Sequence, residues 1–454
     1  MIVRTFHKGS ALIACMIVLV IVSAMSVALA ALSAANVQIA RNQGRGNQAF
    51  ANAESGLEVT RYWLSHVRIP SSTPTSQYFS TVLADVQSDL QDNSVTDFVV
   101  ANDGSVGPVT LDPNTGQVFS GQWSVDATHP TILDIASTGA SGIASRTVGV
   151  HFSIEPYRFP IFNYGIATKG AIRFPQNPTL TGASQNWEAD IYVESNNDLI
   201  AIEVGGNANF DGDIDIGNPS ANVSFGGDIQ IAGDFGQTAV NEHVTIGVEP
   251  VEFPVPDTTR FEQYATGPVI DSTTSLAAPG MTLINAKIQA NTNPTFPGNV
   301  TLQGVLFIEA PNIVTFGSNV VLQGLIVAEP SAASWGANQI NFEGNFASSS
   351  YPAGSQFDAI RKEQGSSILA PSSSVSFTGN FASVNGVMAA GSLYFSGNAS
   401  ATVKGTMISY SPASTYVEGN ISMDFDRASA VEIPAGFDLL RVLVYDPTSY
   451  AMLF

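Results

Sequence analysis

In "FPGNVTLQGVLFIEAPNIVTFGSNVVLQGLIVAEP" (296–330) one pattern is written twice: an aromatic residue, a small residue and Asn, an apolar strand, Gln-Gly, then a second apolar strand that ends on Glu or Glu-Ala before Pro. Related units surround it: "FDGD" at Phe210, "FGGD" at Phe225, "FEGN" at Phe342, "FTGN" at Phe377, "FSGN" at Phe395 and "VEGN" at Val417. Phe296 to Phe316 is 20 residues, Phe377 to Phe395 is 18 and Phe395 to Val417 is 22. One turn of a parallel β-helix takes about this much chain, so the spacing predicts stacked coils. A single coil cannot bury its apolar face, whereas stacking sets Phe over Phe in an inner ladder. The Gly-Asn pairs are expected to supply the left-handed or bridge conformations that corners require.

Two wider gaps, Phe225 to Phe296 and Phe342 to Phe377, are read as insertions: "EPVEFPVPDTTRFEQYA" (249–265) and the short helix-like "SQFDAIRKEQG" (355–365). The coil register inside 236–295 and 346–374 is left open by this pattern. "PAGFDLLRVLVYDPTSYAMLF" (434–454) is the expected cap of the stack.

Composition agrees with a mostly β, exported surface. Charged residues make up 12% of 454, and a single cysteine, Cys15, rules out an intrachain disulfide. Six of the 17 basic residues (Arg4, Lys8, Arg41, Arg45, Arg61, Arg68) lie in the first 68 positions with only Glu54 and Glu58, leaving 36 acids against 11 bases in the rest. A body so acidic disfavours nucleic acid or anionic lipid as its partner.

Between Lys8 and Arg41 no residue is charged, and 11–35 is almost wholly apolar or small. Those 25 residues span roughly 37 Å as a helix, against about 30 Å of hydrocarbon. Three readings compete: a cleaved secretory signal with a site near "ALA" (28–30), a plain signal anchor, and a segment trimmed at its start and retained. Beyond the apolar run, Ile39, Phe50, Ala53, Leu57, Leu64 and Val67 fall at helical spacing, so one stripe continues down a helix of about 60 residues. Gly44 and Gly46 predict a weak or melted turn within it, and Pro70 its stop. A second amphipathic helix is predicted over 76–91, then strands at "TDFVVAND", "GQWSVDAT", "TILDIAST" and "SRTVGVHFSI".

"KGSALIACMIVLVIVSA" (8–24) followed by "QAFANAESGLEVTRYWL" (48–64) resembles the start of type IV minor pilins of the PilX kind. The resemblance covers about 70 residues. It implies a basic leader, 1–9, removed by a prepilin peptidase after Gly9, with Ser10 as the first mature residue. It further implies a retained helix that packs among other pilins through Ala11, Leu12, Ile13, Ala14, Phe50, Glu54 and Leu57. The family's usual first-position Phe and fifth-position Glu are here Ser10 and Ala14. Lack of that Glu resembles tip subunits of such filaments. Partners implied are other pilins, the inner-membrane assembly machinery, the peptidase and the lipid bilayer, with the body periplasmic or extracellular and facing a surface polysaccharide or cell-surface ligand.

The expected organisation is therefore leader 1–9, transmembrane and amphipathic helix 10–69, small α+β region 70–160, right-handed parallel β-helix 161–430 and cap 431–454. Chemistry is weakly signalled. Asp211, Asp213 and Asp215 in "FDGDIDIGN" resemble part of a calcium loop, but without its Glu, and alternate strand positions explain them equally well. The five histidines are scattered, "RKE" (361–363) reads as a solvated face, and no phosphate loop occurs. No cofactor and no reaction are expected. The alternatives are a membrane-anchored carbohydrate-active β-helix and a secreted adhesin with an ordinary signal.

Overall fold

The computed structural model describes residues 8–114, 116–276, 280–332, 335–397, 399–419 and 421–453. It is 24% helix and 41% strand: a long N-terminal apolar helix, then mostly β structure with a β-solenoid of about 11 turns. Most of the expected leader, 1–7, lies outside the described residues; Gly9 and Ser10 fall in the first turn of the helix.

The chain forms two units, one from its start to Pro156 together with Leu440 onward, the other Tyr157–Leu439. In the first, helix α1 (Lys8–His66) runs 59 residues without interruption, about 88 Å. The melted turn expected at Gly44 and Gly46 does not occur. Each Gly costs about 1 kcal/mol of helix propensity, which a helix already nucleated on both sides tolerates. Its second half packs on a six-stranded antiparallel sheet, in the order Ile69–Pro70, Leu440–Leu453, Ala144–Pro156, Ile132–Ser141, Gln117–Val125, Ser105–Asp112. Helix α2 (Tyr78–Asp92) buries Val82, Leu83, Val86 and Leu90 in the same core as Leu57, Leu64, Phe119, Trp123 and Phe152.

Two expectations fail here. "TDFVVAND" contributes only an isolated bridge, Val100 to Val106; the strand is Ser105–Asp112, where Gly107 and Pro108 sit in an irregular register. The C-terminal segment does not cap the solenoid: Leu440–Leu453 is a strand of this sheet, pairing from Arg441↔Pro156 to Leu453↔Thr147.

In the second unit the coils stack in parallel register. Phe296, Phe316, Phe342, Phe377, Phe395 and Val417 form one unbroken column. Successive phenyl rings lie 4.9, 5.2, 4.9 and 5.2 Å apart and within 11° of parallel. A second column, Phe346 over Phe381, flanks it. Phe210 belongs to a different column, between Leu180 and Ile231, while Phe225 aligns with Val204.

The Gly of Phe-x-Gly-Asn serves close approach. A Cβ on Gly379 would lie 2.2 Å from the Gly344 carbonyl oxygen, and one on Gly397 2.1 Å from that of Gly379. Of these repeat glycines Gly419 of "VEGN" is left-handed, at φ 92°; other left-handed positions fall outside the pairs, among them Gly304 and Gly324 inside continuous strands and Asn285, Asn291 and Asn293. Side-chain amides staple the corners: Asn293 N–H donates to Asn312 Oδ1 at 2.8 Å, and Asn312 N–H to Asn338 Oδ1 at 3.3 Å.

Coil order departs from chain order. The first coil, Ile166–Thr168, Ile172–Phe174 and Thr179–Gly182, lies between two others. On one side are Ile191–Val193, Ile200–Val204 and Ala208–Phe210; on the other are Met407–Ser409, Thr415–Val417 and Ile421–Phe425, the last in sequence. The chain thus enters the stack in its middle and builds one way as far as Val244–Ile246. It then restarts at the far end, near Met281–Ile288, and returns to meet its own beginning.

Segment 247–268, which includes the stretch 249–265 read from sequence as an insertion, is the strap that makes this jump. Val251 N–H donates to the Tyr192 hydroxyl, Phe253 packs between Tyr192 and Tyr410, and the Tyr410 hydroxyl donates to the Pro254 carbonyl. Arg260 pairs with Glu363 at 2.6 Å and Glu262 with Lys287 at 2.7 Å. Glu363, expected on a solvated helix face, is therefore a strap anchor. The helix expected over 355–365 is two short 3-10 turns, Ser355–Phe357 and Ile360–Lys362. At the end reached by Val244–Ile246, helix α3 (Gly236–His243) lends Ala239 and Val240 to the core.

Candidate functional site

Two places combine features that packing alone does not require: the first half of α1, and an acidic groove in the solenoid. Along α1 every side chain from Ala11 to Arg45 is exposed, including Leu12, Ile13, Leu19 and Ile39. The helix is long and apolar enough to cross a membrane, with a mean hydropathy of 2.9 in its most apolar window. Exposed aliphatic surface on this scale has no counterpart in an ordinary water-facing helix.

The residues assigned to assembly by resemblance divide. Ala11, Leu12, Ile13 and Ala14 are exposed, whereas Leu57 is 4% exposed within its own unit's core and Phe50 is half-buried against it. Glu54 is exposed and accepts a hydrogen bond from the Tyr450 hydroxyl at 3.2 Å. The "AFANAESGLE" stretch is thus largely a sheet-docking stripe. A Cβ on Gly56 would lie 2.4 Å from Phe119 Cδ2, and one on Gly139 2.1 Å from the Ala49 carbonyl oxygen. Helix and sheet approach this closely only because both positions are Gly and Ala49 and Ala53 are small.

The groove is lined by residues that include Gln185, Asn186, Trp187, Asp190, Asp213 and His243. Burial pushes the Asp190 carboxyl up to about 6, although it accepts the Asp213 N–H. Asp215, also raised by burial, accepts a hydrogen bond from the Tyr164 hydroxyl at 2.9 Å. His243 bonds on both sides, Nδ1 to Asp213 at 2.8 Å and Nε2 to Asp234 at 3.1 Å; bonds to Asp234 and Asp213 raise its pKa, favouring the imidazolium. That double bond ties α3 to the neighbouring coils.

Asp211, Asp213 and Asp215 do not converge. Asp211 accepts the Gly182 N–H, Asp213 takes His243, and Asp215 takes Tyr164, while Ile214 and Ile216 between them are buried. Among the described residues no group of three or more His, Cys, Asp or Glu side chains is arranged to hold a metal ion. Sequence spacing gave no hint of His243, which lies 30 residues from Asp213 and meets it only through coil stacking.

Beside the groove, Arg427 is a buried hub. Its guanidinium donates to the carbonyls of Trp187, Glu188 and Phe162, and burial holds its pKa down to about 10. Its Cζ lies 5.0 Å from the centroid of the Trp187 ring. The isolated "DR" at 426–427 carries no motif that reveals this role.

No family model and no curated protein matches the sequence. Among solved structures the chain is similar to the competence-associated pilin ComZ from Thermus thermophilus, over 90% of this chain and 98% of that one. The two are 14% identical with a TM-score of 0.26, below the level of a shared fold.

Proposed function

We propose that this chain is a structural subunit of a type IV pilus or related secretion filament, of the PilX-like minor kind. In this reading it is held first in the inner membrane by α1, trimmed after Gly9 by a prepilin peptidase, and then assembled with other pilins through the exposed half of the helix. The observation that carries the reading is the division of α1. Its second half is covered by its own sheet, while residues 11–45 stay exposed around the whole helix, almost wholly apolar or small to Ala35 and uncharged as far as Ala40. Such a surface needs lipid or neighbouring helices. The resemblance of 8–24 and 48–64 to pilin starts supports retention over removal.

The acidic solenoid is the displayed part, suited by its open, polar groove to contact with a surface ligand, and it carries out no reaction of its own. Replacing Gly9 with Val tests the processing step. The variant is expected to accumulate in the membrane at full length and to be missing from fibres sheared off the cells. Equal recovery of variant and parent in the sheared fraction would overturn the reading.

A further inference from the structure

The hairpin joining Ile132–Ser141 to Ala144–Pro156 has a two-residue loop, Gly142-Ile143, and its isoleucine is 89% exposed. Tight loops normally carry polar residues, so a bare isoleucine at a tip asks for a non-aqueous neighbour. The tip lies beside α1, where Ile143 shares a groove with Ala30, Ala34, Val37, Arg41 and Arg45.

Arg41 and Arg45 line that groove, and Arg146, three residues beyond Ile143, reaches α1 at Gly46. A Cβ on Gly142 would lie 3.5 Å from Arg45 Nε, and one on Gly46 3.8 Å from Arg146 Nη2. Arg41, Arg45 and Arg146 are exposed, and none has an ion pair among the described residues. No acidic residue precedes Glu54. This is a basic band in an otherwise acidic chain.

The band has the right height for a membrane surface. Lys8 and Arg41 bracket the uncharged run, and their separation along a helix is roughly 50 Å, close to a bilayer of about 40–45 Å with its headgroups. With Lys8 in one headgroup layer, Arg41, Arg45 and Arg146 reach the other, and Ile143 stands at the edge of the hydrocarbon.

We propose that Arg41, Arg45, Arg146 and the Ile143 tip form a collar that binds anionic phospholipid headgroups where α1 leaves the membrane, with Ile143 entering the interface. Charge complementarity and continuity with the apolar run favour lipid over a protein occupant. The proposal rests on the reading that α1 spans a bilayer. It accounts for arginines on the far side of the span, where the usual charge bias would not put them: they are held by headgroups.

Cys15, the only native cysteine, makes the test clean. The full chain carrying Cys15→Ala and Ile143→Cys is labelled with an environment-sensitive dye and placed, one copy per disc, in nanodiscs of phosphatidylcholine with or without phosphatidylglycerol. With phosphatidylglycerol the emission is expected to shift to the blue and iodide quenching to be lost. Adding Arg41→Gln, Arg45→Gln and Arg146→Gln is expected to abolish that lipid dependence. A label quenched by iodide in both lipids, protection equal in both, or protection seen only with several copies per disc would overturn the collar; the last outcome would assign the face to a protein neighbour. The parent chain labelled at Cys15 separates the two levels. A Cys15 label buried in lipid with an aqueous position 143 sinks the collar alone, and an aqueous Cys15 label sinks the spanning reading with it.

Discussion

At Phe342 the packing of the solenoid is concentrated in one side chain. It stacks on Phe316 at 5.2 Å and Phe377 at 4.9 Å and meets Phe346 at 4.7 Å, all of them buried. Phe342→Ala should cost about 3–5 kcal/mol. Because each coil touches only its neighbours, the loss should appear first as faster amide exchange in Ile313–Phe316 and Ser366–Phe377, with distant coils unchanged.

Titration at the groove takes its sign from His243 and Asp190, with Asp215, raised by burial, acting in the same sense as Asp190. His243 has a raised folded pKa, so its bonds stabilise fully below the unfolded value near 6.5 and are lost as pH climbs through the folded value. Asp190, raised to about 6 from 3.8, binds its proton more tightly when folded, so stability falls as pH rises across that interval. Both contributions favour mildly acidic conditions. Asp190→Asn keeps an acceptor for the Asp213 N–H; its melting temperature should exceed the parent's at pH 8 and nearly match it below pH 4. A parent-like melting profile at every pH would contradict this account.

Among elements, the strap decides whether the permuted coil order can hold. Its anchors are Phe253, Tyr410 and the Arg260–Glu363 pair. Removing the Tyr410 hydroxyl leaves the Pro254 carbonyl without its donor and should cost about 1 kcal/mol. Tyr410→Phe with Phe253→Ala should go further and open 247–268 to limited proteolysis, while the Phe column stays protected. Simultaneous cleavage throughout the solenoid would mean that the strap is not a separate element.

This is also the scale at which sequence reading succeeded and failed. The spacing of Phe296 to Phe316, Phe377 to Phe395 and Phe395 to Val417 revealed the coils, because a ladder forces like side chains to recur at one coil's length. It could not reveal that Met407 pairs with Ile166 or Met423 with Leu180, since a repeat looks the same wherever the stack is cut. Arg260 and Glu363 are 103 residues apart and meet only once the strap is laid down. Leu440–Leu453 looked like a cap because its apolar content suits a solenoid end and a sheet edge equally well.

On the scale of the whole molecule, each of the two units has a core of its own, and the uncovered half of α1 in the first is the conspicuous exception. Each unit buries an apolar core of its own that needs no cover from outside. The run 11–40 does, and the proposed function follows from which partner covers it: lipid first, neighbouring helices afterwards. A transient export signal would be discarded; a filament helix must stay attached to the body it carries. Mass determination of the mature N-terminus, on protein recovered from cells, separates these most directly. The account predicts a polypeptide beginning at Ser10. A chain beginning near Ala31, free in the culture fluid and missing from sheared fibres, would contradict it.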